Sequence, residues 1–136
     1  MELSRRRGRI KQLRCAPSSL DLTNNGHTFQ EVYESGSLIV IGVHQYELLQ
    51  TYFHTPSEHT IDGIPAEAEL HLVHRHIGTE GRLAVVSVMI REGRTNSAIE
   101  GLLEIVPVTE GVPEKFGGIK LMLLRCCPKT GLPIAA

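Results

Sequence analysis

The sequence predicts a mainly β fold: a partial, antiparallel-dominated sheet with one short helix late in the chain. Three observations carry this. Apolar and polar residues alternate with period two through Tyr46 to His54 and again through Glu67 to His74. Turn signals punctuate the chain at Asn24-Asn25-Gly26, Asp62-Gly63, Gly78 and Gly81. A single stretch, Ser97 to Val106, has helical spacing. Strands joined by short turns favour antiparallel neighbours.

The elements follow in order. Residues 1–16 form a basic N-terminal arm with Arg5, Arg6, Arg7, Arg9, Lys11 and Arg14, and a like-charge run at a terminus is expected to be solvated or disordered. No interleaved aromatic supports a nucleic-acid contact there. Pro17, Ser18 and Ser19 mark a loop. Leu38 to Val43 is a continuous apolar run rich in β-branched residues, which suits a buried strand. Tyr46 to His54 then alternates, with Tyr46, Leu48, Gln50, Tyr52 and His54 on one face and Leu49, Thr51 and Phe53 on the other. Thr55-Pro56 ends that strand, because proline has no N–H to give to a ladder. In Glu67 to His74, Glu69, His71 and Val73 share one face, and Leu70, Leu72 and His74 share the other. Leu83 to Ile90 reads as a further strand. Ser97 and Glu100 are spaced as a capping box. Ile99, Leu102, Leu103 and Val106 follow with one-sided helical spacing, and Pro107 closes the helix. Lys120 to Leu124 fits a strand or a helical turn, and residues 125–136 form an unpatterned tail.

Composition narrows the function classes. A chain of 136 residues is expected to be one domain. With 14 basic and 15 acidic residues the net charge is −1, which excludes a general polyanion binder, so no nucleic-acid partner is expected. No apolar run is long enough to span a bilayer, and no membrane partner is expected. The N-terminus is charged but lacks an apolar core, so no signal peptide is visible and the compartment stays open. The three cysteines, Cys15, Cys126 and Cys127, lack zinc-finger spacing. Adjacent cysteines bond poorly to each other. Free or partly buried thiols are the favoured reading, and a disulfide between chains is the alternative.

Metal-ligand residue types gather in two of these strands. Catalytic zinc takes three protein ligands and keeps a fourth place for water. Side chains at i and i+2 of a strand project from one face, and a neighbouring strand can complete the triangle. Two segments fit such a plan: Leu49-Gln50-Thr51-Tyr52-Phe53-His54-Thr55-Pro56-Ser57-Glu58-His59-Thr60-Ile61-Asp62-Gly63 and Ala68-Glu69-Leu70-His71-Leu72-Val73-His74; a third segment, Asn24-Asn25-Gly26-His27-Thr28-Phe29-Gln30, carries a further histidine beside a turn signal.

From about Pro17 to about Gly111 these segments resemble the α-class carbonic anhydrases, with several motifs in the family's order and spacing. The resemblance implies a partial α-carbonic-anhydrase-like domain over residues 17–124. It also implies reversible hydration of CO2 to bicarbonate by zinc-bound hydroxide. In that likeness His54 and His71 match the second and third zinc ligands, and Tyr52 stands where the first ligand is a histidine. Gln50 and Glu69 match the amide and carboxylate that orient ligands. Glu58 matches the carboxylate that holds a gating threonine. His27 matches the proton-shuttle histidine, and its ordinary pKa of about 6.5 suits that task. Val73 and Val85 match residues lining the CO2 pocket, and His59 matches a structural histidine. Family members are often periplasmic or secreted.

The departures set the expectations. A phenol with an ordinary pKa of about 10 is a poor ligand, and its oxygen reaches past the place of an imidazole nitrogen. The family domain is nearly twice as long, and nothing after Leu124 matches its strand with the gating threonine. CO2 hydration is thus expected to be weak or lost. The alternatives are a catalytically silent binding or structural relative, and a fragment that self-associates through exposed sheet edges as a homo-oligomer. His44, His74 and His76 read as surface or strand residues. One of them, or a neighbouring chain's histidine, stands open as a substitute ligand.

Overall fold

A computed structural model describes residues 10–14, 16, 20–26, 29–95, 100, 109–111 and 114–116. His27, the three cysteines, the body of the expected helix, Lys120 to Leu124 and the tail lie outside the described residues. Within them the chain runs through strands β1 (Ile10–Arg14), β2 (Leu20–Asn24), β3 (Phe29–Tyr33), β4 (Leu38–Ile41), β5 (His44–His54), β6 (Thr60–Ile61), β7 (Ile64–Pro65), β8 (Ala68–His76), β9 (Leu83–Ile90) and β10 (Glu114–Phe116).

The long strand β5 organises the sheet. Along one edge it pairs first with β4, from Ile41↔His44 to Leu38↔Glu47, and then with β3, from Val32↔Gln50 to Gln30↔Tyr52. Its other edge pairs with β8, and β8 pairs with β9. Beyond β4 lies β1, and beyond β3 lie β2 and β10. All of these strand pairs are antiparallel. The expected antiparallel-dominated sheet is therefore present.

Part of the basic arm is ordered in this sheet. Ile10–Arg14 pairs with β4, Ile10 is buried, and Lys11, Gln12 and Arg14 are exposed. A buried anchor with charged neighbours facing water is what an edge strand tolerates. The apolar run at Leu38 also ends sooner than expected. β4 stops at Ile41, Gly42 takes φ 65°, and Val43 sits in the turn with 87% of its surface exposed. The glycine supplies the left-handed backbone of a two-residue hairpin, and this outweighs the apolar character of Val43. The Asp62-Gly63 signal behaves as expected: it joins β6 to β7, with φ 53° at Asp62 and 76° at Gly63.

One irregularity decides which residues face the core. β5 and β8 pair Leu48↔His74 and then Gln50↔Val73, leaving Leu49 as an extra residue, a β-bulge. The bulge flips the alternation. Tyr46 and Leu48 consequently face the core, opposite to Gln50, Tyr52 and His54, and the single five-residue face expected from period two is split. The core face holds Ile10, Ile39, Tyr46, Leu48, Leu70, Leu72, Ala84 and Val86, bordered by Tyr33, Ile41, Phe53, Val88 and Ile90. Full burial of one such aliphatic side chain contributes about 1.5–3 kcal/mol.

Candidate metal-binding face

Residues opposite one another in an antiparallel ladder share a face. The register therefore lays out the site in three rows across β5, β8 and β9: Gln50, Val73, Val85; Tyr52, His71, Ser87; and His54, Glu69, Met89. The first two rows extend onto β3 through Val32 and Gln30. The bulge at Leu49 is what brings Gln50, Tyr52 and His54 onto the face that Glu69, His71 and Val73 occupy.

Three rings meet at the centre. The centroids of Tyr52 and His54 are 5.1 Å apart, those of Tyr52 and His71 5.0 Å, and those of His54 and His71 5.1 Å. The phenol thus fills one corner of a nearly equilateral triangle whose other corners are imidazoles. Burial pushes the Tyr52 phenol above its ordinary value, and the charges of Glu58 and Glu69 push it the same way. Its neutral form is the stable one at physiological pH.

Beneath the triangle lies a carboxylate with no exposed surface, Glu69. Its Oε2 accepts the backbone N–H groups of Glu58 and His59, each at 2.9 Å. Its Oε1 meets His59 Nδ1 and lies 2.9 Å from His71 Nε2. Burial alone would raise this carboxyl. The N–H donors and His71 outweigh it and bring the pKa to about 2. The His71 N–H does not aim squarely at Oε1, so Nε2 remains a buried polar atom short of a full hydrogen bond.

Glu58 stands on the short turn after β5. Its Oε1 is 3.3 Å from His54 Nε2 and its Oε2 is 3.9 Å from His71 Nε2. That turn is pinned: Ser57 N–H donates to Ala66 O at 3.1 Å, Ser57 Oγ donates to His59 O at 2.7 Å, and Ala66 N–H donates to Ser57 Oγ at 2.8 Å. At the upper row, Gln30 Nε2 donates to Gln50 Oε1 at 2.6 Å and fixes that amide.

Among the described residues two donor triplets result, each with ligand atoms within 4.8 Å of one another: His54, Glu58, His71 and His59, Glu69, His71. Glu69 in the second is already committed to two backbone N–H groups and His59. The first combines two imidazoles with a half-exposed carboxylate, and its donor types suit a zinc-like divalent ion.

Gln50, Tyr52, His54, Glu58, Glu69, His71, Val73 and Val85, singled out in the sequence, thus come together. The candidate substitutes do not. His44, His74 and His76 lie on the other face of β5 and β8 by register, out of reach of His54 and His71. His74 is also wholly buried rather than at the surface, because Leu48 and Ala84 flank it across the ladder. Sequence reasoning missed Gln30 and Ser87. Ser87 Oγ is buried and has no hydrogen-bond partner among the described residues, and it lies beside His71. Its signal was available in the register implied by the Val73 and Val85 pairing.

Comparison with known proteins agrees with this geometry. The family model for eukaryotic-type carbonic anhydrase matches residues 4–115. A carbonic anhydrase from Nostoc sp. is 36% identical over 105 residues, which cover 77% of this chain and 39% of that protein. Alpha carbonic anhydrase 7 of Arabidopsis thaliana is 42% identical over 87 residues, covering 63% of this chain and 31% of its own length. The solved α-carbonic anhydrase of Photobacterium profundum superposes with a TM-score of 0.70 at 32% identity, covering 86% of this chain and 51% of that one. The chain therefore spans about a third of the length of these curated relatives. On a family match that takes in every strand bearing the ring triangle, the chain belongs to the eukaryotic-type, or α, carbonic anhydrase family.

Proposed function

We propose that this chain keeps the metal-holding face of an α-carbonic anhydrase and hydrates CO2 weakly, with turnover limited by Tyr52. The observation that carries the reading is the ring triangle: two imidazoles and one phenol at mutual distances of 5.0–5.1 Å. When bound, zinc would acidify a water to a pKa near ~7 and so supply a nucleophile for CO2 at neutral pH. The chain's own residues do the rest. His54 and His71 offer lone pairs from adjacent strands. Glu69, 2.9 Å from His71 Nε2, would favour the proton on that nitrogen and leave Nδ1 as the atom that could hold the ion. Gln50, held by Gln30, steadies the upper row. Val73 and Val85 give an apolar wall against which CO2 can rest. His27 would carry protons to solvent.

The test is zinc per chain and CO2 hydration, measured on the native chain and on Tyr52→His. Restoring a third imidazole is expected to raise zinc affinity at least ~10–100-fold, the scale on which even supporting residues act, and to raise turnover with it. Equal zinc affinity in both forms would contradict the reading.

A second reading, a silent binding module, draws on the neutral phenol of Tyr52, which supplies no anionic donor. It predicts turnover only in Tyr52→His. Self-association is proposed alongside either reading. Among the described residues β9 pairs only with β8, so its outer edge is where a second copy could add a strand. A monomer in solution sizing at high concentration would rule this out.

A further inference from the structure

We infer that Glu58 is the third protein ligand of this site, giving a two-histidine, one-carboxylate set in place of three histidines. The inference rests on the metal-holding reading above. The Tyr52 ring fills the corner of the missing ligand, 5.1 Å from the His54 ring and 5.0 Å from the His71 ring, and brings no imidazole nitrogen there, so a third nitrogen or carboxylate donor must come from elsewhere. The histidines on the opposite face are excluded by register. Among the described residues Glu58 is the carboxylate that forms a donor triplet with His54 and His71, the ligand atoms lying within 4.8 Å of one another and its Oε1 3.3 Å from His54 Nε2.

The spacing suits coordination. Two donors about 2.0–2.2 Å from a zinc lie about 3.3–3.6 Å apart at the tetrahedral angle. The His54 Nε2 to Glu58 Oε1 distance of 3.3 Å is one such edge. Preorganisation adds to it. Glu69 accepts the backbone N–H of Glu58 itself and lies against His71, so one buried carboxylate positions two members of the triplet. Two histidines and a glutamate are also a known catalytic zinc set, which leaves a fourth position for water. An imidazolium–carboxylate pair without metal would have similar spacing, and the experiment separates the two.

Zinc affinity is measured by competition with a chromophoric chelator, and Co2+ absorption in the visible reports ligand geometry. The native chain, Glu58→Gln, His54→Ala, Tyr52→Phe, Tyr52→His and the double variant Tyr52→His/Glu58→Gln are compared, with circular dichroism as a check on folding. We expect one zinc per native chain. Glu58→Gln should weaken zinc at least ~100-fold and shift the Co2+ bands, while Tyr52→Phe stays within ~3-fold. With Tyr52→His present, Glu58→Gln should cost less than ~10-fold, because the third imidazole makes the carboxylate dispensable. If Glu58→Gln binds zinc like the native chain while His54→Ala does not, the carboxylate is only an ion-pair partner: the inference is overturned and the metal-holding reading stands. If neither the native chain nor Tyr52→His binds zinc, both fail together. Since the Glu58 side chain is half exposed, its replacement threatens folding little.

Discussion

The same strands present histidines on both faces, and the two faces differ in what surrounds them. On one face His54 and His71 meet two carboxylates, Glu58 and Glu69. On the other, His44 Nδ1 and His76 Nε2 lie 3.0 Å apart beside Tyr46, and His74 is sealed among aliphatic side chains. Its Nδ1–H donates to Leu72 O at 2.9 Å. Burial brings the His74 pKa down to about 4, whereas the donors on Glu69 bring a carboxyl down to about 2. The lesson is that carboxylate company, rather than the number of histidines, separates a prospective metal face from a packed core.

The sharpest break of this comparison is Glu69→Ala. It strips two backbone N–H groups and the His59 imidazole of their acceptor, and removes the carboxylate beside His71. A loss of about 3–5 kcal/mol is expected from urea denaturation of the metal-free chain. A loss under about 1 kcal/mol would mean that Glu69 organises nothing.

The next test addresses the other face. The folded-state pKa of His74 lies below its unfolded value, so its contribution to stability is present above about pH 6.5 and fades as pH falls toward 4. The full loss is on the order of 3 kcal/mol. Urea midpoints measured across pH 7 to 4 should fall less steeply in His74→Leu than in the native chain. Parallel pH dependence in the two would show that His74 is not held neutral.

A smaller effect is expected at Gly26, two residues after the end of β2. Its φ is 84°, and an added Cβ would come within 2.6 Å of Glu110 Oε1. Gly26→Ala should cost about 1–2 kcal/mol by thermal unfolding, with zinc affinity unchanged. Least of all should be Arg75→Ala. It removes a 3.0 Å pair with Glu47 that is open to solvent on the arginine side, and it is expected to cost at most about 1 kcal/mol, less in high salt.

Much of this contrast could be read from the chain alone. Period two in Glu67 to His74 separated Glu69, His71 and Val73 from Leu70, Leu72 and His74, because the strand is regular and one side chain per two residues turns inward. The same rule failed in β5. No residue type announces a bulge, and Leu49 becomes the extra residue only through its pairing with β8, which is a long-range fact. Gly42 did carry a local signal, the left-handed turn residue, but the apolar run around it masked the hairpin. The pairing of Ile10–Arg14 with β4 was hidden under the arm's charge, since buried Ile10 is a single residue in a basic run. Glu58 was found by resemblance, but its closeness to both rings depends on how the pinned turn folds back, which spacing does not reveal.

The most direct check is the X-ray absorption spectrum at the zinc edge of the zinc-loaded native chain. The account predicts one zinc per chain, with two imidazoles and oxygen donors in its coordination shell. A shell of three imidazoles, or a chain that takes up no zinc at all, would contradict it.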